Sequence, residues 1–205
     1  MNPSKFSIAH EVTFGGVQLQ GVKEKGDTTR RVYITPAERR LEEFLAIKTP
    51  STKKEFQRVT GLANQLKRWV PELAFSTLHL RKLSSVHARF LWTSEHEEEL
   101  TQLKATIQNC VKLSPLDLEK PIHLHLDAAQ TIGMSYILCQ PRSDKEEDGK
   151  TIITCNSTTF SETQRRYSPF ECEALAVQWA TRSEDYYIRA APAVKVLSDA
   201  RGTGR

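Results

Sequence analysis

The sequence predicts a mixed fold, α+β in its first half and α/β in its second, on three observations. Capped, amphipathic helical patterns dominate residues 35–111. Four short apolar runs follow, at 121–127, about 132–140, 151–157 and 193–198. One capped helix, opening at Ser168-Pro169, interrupts them before the last run. Three strands, a helix and a further strand make an α/β arrangement.

Each element has its own local signal. Residues 1–34 read as strands and turns, because Glu11 to Gln20 alternates around the Gly15-Gly16 break as a hairpin would. That segment is too short to fold alone. Thr35-Pro36-Ala37-Glu38 reads as a capping box with proline at the first helical position. Leu41, Phe44, Leu45 and Ile47 then form a buried stripe that stops near Pro50. Thr52-Lys53-Lys54-Glu55 is a second box. It opens a helix with Phe56, Val59, Ala63, Leu66 and Val70 on one face, ended by Pro71. Lys54, Arg58 and Arg68 fall outside that stripe. Ser94-Glu95-His96-Glu97 opens a third helix, with Leu100, Leu103, Ile107 and Val111 inward. Its acids Glu95, Glu97, Glu98 and Glu99 complement the helix dipole and need no catalytic explanation. The segment Arg142 to Gly149 reads as a charged loop.

The chain has 205 residues, enough for one large or two small domains. With 39% apolar and 26% charged residues it fits a soluble globular protein. No apolar stretch approaches the roughly 20 residues that span a bilayer, and the amino end lacks a charged-then-apolar leader. An intracellular, non-secreted protein without a membrane partner is expected. Cys110, Cys139, Cys155 and Cys172 form no C-x-x-C pair and are expected as reduced, mostly buried thiols. Charge is uneven: between Ser51 and Phe90 eight basic residues face two acids, whereas from Pro121 onward ten face eleven. A basic arm beside a near-neutral half suits a polyanion gripped by one part and processed by the other. Such an arm also occurs as an ordinary solvated helix face.

Three carboxylates carry the chemical signal. Asp127 ends one apolar run, Glu173 lies in the first turns of the helix capped by Ser168, and Asp199 ends the last run. Acids on two strand ends and one helix are hard oxygen ligands on rigid elements, as a pair of Mg²⁺ ions roughly 4 Å apart requires. Glu171 is the N3 acid of the box opened by Ser168, so capping is its better role. His123 and His125 share strand parity with Asp127, but a zinc site would lack a fourth ligand; they are expected to line the mouth of the site. Trp69, Trp92 and Trp179 read as packing residues, with Trp69 also placed to lie beside a nucleic-acid backbone. The candidate phosphate contacts are Lys54, Arg58, Lys67 and Arg68.

These motifs, taken in order, resemble the gypsy-type LTR-retrotransposon reverse transcriptase. Glu11-Val12-Thr13-Phe14-Gly15-Gly16 is similar to the strand that closes the palm. Gly61-Leu62-Ala63-Asn64-Gln65-Leu66-Lys67-Arg68-Trp69-Val70-Pro71 is similar to the thumb signature Gly-Leu-x-Asn-x-x-x-Arg-Phe-(Ile/Val)-Pro. Phe90-Leu91-Trp92-Thr93-Ser94-Glu95 resembles the entry to the connection helix. Lys120-Pro121-Ile122 through Asp127-Ala128-Ala129 and Gly133, Tyr167 through Ala180, and Ser198-Asp199-Ala200 resemble the three acid-bearing motifs of an RNase H-like domain. The resemblance implies a palm remnant at 1–34, a helical thumb at 35–93, a connection helix and linker at 94–120, and an RNase H-like domain at 121–205. It implies a mixed sheet of three antiparallel strands, a helix and a fourth strand. It also makes Asp127, Glu173 and Asp199 the metal ligands and catalytic acids.

The function so implied is two-metal hydrolysis of RNA in RNA–DNA hybrids, with Mg²⁺ as cofactor and the rest of the Pol polyprotein as partner. Three departures qualify it. The Tyr-x-Asp-Asp polymerase motif is absent, so these residues are not expected to polymerise DNA. The family's fourth ligand lies beyond a fifth strand, past Arg205. Ala129 and Ala200 replace the usual Ser and His. The alternative expectation is a catalytically inactive nucleic-acid-binding remnant or pseudogene fragment.

Overall fold

The computed structural model describes residues 10–23, 30–85, 89–142 and 149–198. Its first element is the hairpin of β1 (Glu11–Phe14) and β2 (Val17–Lys23), joined at Gly15 and Gly16, whose φ angles are 58° and 80°. Two successive positive φ values suit the tight hairpin turn that matches strand twist, and glycine adopts them without Cβ strain. β3 (Arg30–Pro36) adds antiparallel to β2. Here one expectation is corrected: Thr35 and Pro36 do not open a helix. They pair with Gln18 and Val17, and the Ala37 amide donates to the Gly16 carbonyl (3.0 Å), so the sheet claims them. α1 (Glu38–Leu45) starts two residues later with no side-chain cap.

α2 (Lys53–Leu66) begins as expected, with Thr52 Oγ1 accepting the Glu55 amide at 3.2 Å. Glu55 turns its carboxylate to Ser51, whose amide and hydroxyl both donate to it. Phe56, Val59, Ala63 and Leu66 are buried along one side. The helix ends at Leu66 rather than at Pro71; a tight 3₁₀ turn over Lys67–Trp69 leads out. Two short elements carried no cap or long stripe to announce them: α3 (Leu78–Leu83) and, later, α6 (Asp185–Ala190). α4 (Ser94–Gln108) is capped by Thr93, with the His96 ring closing the box. Two of its acids, Glu97 in the first turn and Glu99 in the second, have definite structural tasks. Glu99 accepts the His79 and Leu80 amides at the start of α3, and Glu97 accepts from Thr49 and from the Trp92 indole. Phe44, Phe56, Leu80, Leu100, Leu103 and Ile107 gather into one core under these helices.

The second half forms a four-stranded sheet ordered β6-β5-β4-β7. β4 (Ile122–Ala129), β5 (Gly133–Pro141) and β6 (Lys150–Thr159) are successive antiparallel neighbours; β7 (Val194–Ser198) pairs parallel to β4. α5 (Pro169–Ser183) makes the crossover and lies on one face. Ile122, Leu124, Leu126, Tyr136 and Leu138 meet Ala180 there, and Met134 and Phe160 meet Cys172 and Ala176. All four cysteines are free thiols, three of them buried. The two sheets are bridged by Leu113, which pairs with Ile34 and with Ile152.

The opposite face is covered by the chain between α2 and α3. Cys155, Ser157 and Thr159, alternate residues of β6, each fasten it by a polar side-chain atom. Cys155 Sγ donates to the Arg68 carbonyl (3.1 Å), Ser157 Oγ accepts the Ala74 amide (2.9 Å) and Thr159 Oγ1 accepts from Arg81 (3.0 Å). Burial pushes the Cys155 thiol up to about 12, so it stays protonated and able to donate. Trp69, buried beside this seam, donates its indole N–H to the Ile34 carbonyl at 3.0 Å. It is a packing residue.

Candidate active site

Strand parity decides which way Asp127 faces. Leu124 and Leu126 point at α5, so Asp127 points to the other face and is exposed. There it heads a cross-strand row, Asp127 opposite Ser135 and Ser135 opposite Ser157. It opens into a cleft of about 450 Å³ that is also lined by His125, Ser135, Leu197 and Ser198. Pro71 and Glu72, from the segment after α2, supply the other wall. His125 therefore does line the mouth of the site, and its Nε2 lies 3.0 Å from Lys150 Nζ.

Glu173 comes from the first turns of α5, which Ser168 holds in a reciprocal capping box with Glu171. The Ser168 amide and hydroxyl both donate to the Glu171 carboxylate at 2.8 Å, and these bonds hold its pKa below the usual carboxylate range. Glu171 is thus a cap, as its position implied. Ser168→Ala should cost about 1 kcal/mol, read as a melting point some 2–4 °C lower.

Glu173 is half-buried, and its Oε2 accepts a hydrogen bond from Ser198 Oγ at the end of β7. Ser198 also pairs with Leu126, the residue before Asp127. Ser198 therefore faces α5 and Glu173, whereas Asp127 faces the other way; the two strands bring Ser198 and Asp127 to one cleft at the end of the sheet. Asp199, the third expected acid, lies outside the described residues. Among the described residues no three of His, Cys, Asp and Glu are grouped so as to hold a metal ion. The donors present, carboxylate oxygens beside a hydroxyl, are the hard ligands that Mg²⁺ prefers over softer metals.

Of the four expected phosphate contacts, Lys54, Arg58, Lys67 and Arg68 are all exposed. Arg68 also donates to the Tyr187 hydroxyl at 3.3 Å, joining the turn after α2 to α6.

Behind the cleft the Tyr136 hydroxyl donates to Glu184. Burial raises the Glu184 pKa, partly opposed by the Tyr136 hydrogen bond and by Arg68. A folded-state value above the unfolded one favours the fold below the ordinary glutamate range, and that contribution fades as pH climbs through the raised value. Glu184→Gln should therefore flatten the pH dependence of the melting temperature above the ordinary glutamate range, with the variant gaining on the parent toward the alkaline side. Thermal scans at successive pH values check it. This pair, like Ser198 and the wall at Pro71-Glu72, escaped the sequence; a glutamate following a helix carries no signal of the tyrosine that it meets.

Comparison with known proteins now bears on this geometry. The family profile described as the RNase H-like domain found in reverse transcriptase matches residues 92–196, just over half of the chain. The chain belongs to that family. The match spans Asp127 and Glu173. Among relatives of the RNase H-like chain, the transposon Tf2-3 polyprotein of Schizosaccharomyces pombe is 25% identical over 181 residues, 88% of this chain and 13% of the polyprotein. The Tf2-4 polyprotein of the same organism matches identically in extent. The chain thus spans about an eighth of the length of the curated relatives it matches. Two structures of the foamy viral protease-reverse transcriptase share the RNase H-like chain's fold. The one in complex with RNA/DNA hybrid has a TM-score of 0.74 at 21% identity, covering 92% of this chain and 24% of that one. The one in complex with dsDNA has 0.73 at 22%, covering 93% and 37%. No helix among the described residues is long and apolar enough to cross a membrane.

Proposed function

We propose that the chain is part of a gypsy-type retrotransposon Pol polyprotein and that its RNase H-like half hydrolyses the RNA strand of RNA–DNA hybrids with Mg²⁺. Residues 1–34 then correspond to the end of the palm, 35–93 to the thumb, 94–120 to the connection and 121–205 to the nuclease domain. The observation that carries the reading is the meeting of two acid-bearing elements at one strand end. Glu173 is bound to Ser198, and Ser198 shares a cleft with the exposed Asp127.

Asp127, Glu173 and Asp199 would hold the metal. Bound Mg²⁺ supplies Lewis-acid stabilisation of the phosphoryl oxygens and a more acidic water. The chain's own part is to orient those carboxylates: the β4–β5 ladder fixes Asp127, and the Ser198 hydroxyl fixes one Glu173 oxygen. Lys54, Arg58 and Lys67 grip the hybrid's phosphates from the basic arm, with Arg68 beside them.

The test is incubation of the full chain with Mg²⁺ and an end-labelled RNA–DNA duplex. Cleavage that is lost in Asp127→Asn supports the nuclease. Binding without cleavage, weakening steeply with salt, would instead establish the binding-only remnant. Replacing Lys54 and Arg58 together with glutamine should lower hybrid affinity severalfold at about 0.1 M salt and reduce the salt slope by roughly two.

A further inference from the structure

A cavity roomier than the acid cleft lies elsewhere among the described residues. Between α2, α3 and the end of β6 lies a cavity of about 570 Å³, within the size range of small-molecule sites. Its floor is apolar: Val59, Ala63, Leu73, Leu80 and Leu103. Arg81 stands at its rim, and among the described residues no carboxylate lines it. The guanidinium is anchored by its bond to Thr159 Oγ1 (3.0 Å). Partial burial makes that cation's charge harder to satisfy with water. A slot with an apolar floor, polar walls from Thr60, Asn64, Thr77 and Ser84, one anchored cation and no acid complements a flat body that carries hydrogen-bonding edges and one anionic group.

Position narrows the class. Thr159 pairs with Gly133, which pairs with Ala129, so the cavity borders the same end of the sheet as Asp127. Two strand spacings across and two residues along place Thr159 roughly 12 Å from Asp127. Arg81 and Asp127 also lie on one face, because Ser157, aligned with Asp127 through Ser135, shares parity with Thr159.

We propose that this cavity binds a single unpaired nucleotide of the nucleic acid engaged at the acid cleft. The base lies on the apolar floor, and the phosphate pairs with Arg81. The proposal rests on the hybrid-cleaving reading for its choice of ligand, but the site can be measured apart from it.

The probes are adenosine 5′-monophosphate, adenosine and inorganic phosphate, each titrated by calorimetry into the full chain, into Asp127→Asn and into three cavity variants. The nucleotide should bind saturably, at least about tenfold more tightly than adenosine or phosphate, because only it uses both floor and cation. Arg81→Gln should weaken it about tenfold, and Thr60→Trp, which fills the half-exposed rim, should abolish it. Thr159→Val releases the guanidinium from its anchor yet keeps its charge, so it should weaken binding by less than Arg81→Gln does. Melting curves confirm that each variant is folded. Equal binding of phosphate alone, equal binding of adenosine alone, or loss in Thr159→Val as complete as in Arg81→Gln would each overturn the site. Asp127→Asn should bind the nucleotide normally while cutting nothing. Absent cleavage with intact nucleotide binding therefore indicts only the nuclease reading, and intact cleavage without nucleotide binding indicts only the cavity.

Discussion

Asp127→Asn is expected to reduce hybrid cleavage by at least about a thousandfold while leaving the melting temperature unchanged within error. The stability half follows from where the residue sits, and the catalytic half from the metal-binding role proposed for it. Its side chain is exposed on the face away from α5 and contributes nothing to the core below, so neutralising it costs little stability. A metal-binding carboxylate, by contrast, acts in the transition state, and its loss removes several kcal/mol of charge stabilisation, at about 1.4 kcal/mol per tenfold in rate. Single-turnover cleavage with calorimetric melting of the same preparation separates the two effects. A variant that still cuts within tenfold of the parent would remove Asp127 from the site. Ser198→Ala provides a graded companion: it withdraws the hydroxyl that holds Glu173 and should cost roughly tenfold rather than a thousandfold.

Gly133→Ala should be the most damaging single methyl in the sheet. A Cβ at this position would stand 2.1 Å from the Thr158 carbonyl oxygen and 2.8 Å from the Thr159 Cα. Both obstacles are backbone of the neighbouring strand, which yields only by opening the β5–β6 ladder. A loss of about 3 kcal/mol or more is expected, a large share of a typical domain's margin. Denaturant unfolding reads it directly. Gly61→Ala is the matched control: it sits within α2 with nothing within 4 Å of its Cβ, so alanine should stabilise the helix by up to about 1 kcal/mol. Similar effects at the two positions would refute the steric argument.

The elements that were legible in sequence are those whose signal is local. The stripe Phe56, Val59, Ala63 and Leu66 and the box at Ser168 and Glu171 each need only neighbours within a few residues, and both formed as expected. The strand runs were legible too, because alternation and bounding turns mark them. Thr35-Pro36 shows the opposite case. Its capping pattern was real, but pairing with β2 outweighed it, and nothing near residue 35 announces what Gln18 will do. α3 and α6, six residues each, are too short for a period to stand out. Asp127 and Glu173 could be proposed from the sequence because acids at strand ends and in a helix's first turns have a chemical logic. Ser198's hydroxyl contact, the wall at Pro71-Glu72 and the use of Arg68 by Tyr187 depend on side chains about 25 to 130 positions apart in the chain. Only the folded molecule brings those together.

The three fastenings along β6 bear on how this protein can be taken apart. Cys155, Ser157 and Thr159 hold a stretch, residues 68–81, that lies upstream of Trp92, where the family match begins. Expression from Trp92 onward would therefore peel the lining off one side of the β-sheet, leaving Cys155 bare and the Asp127 cleft without its Pro71-Glu72 lip. For bench work the smallest sound unit is larger than the homology boundary suggests.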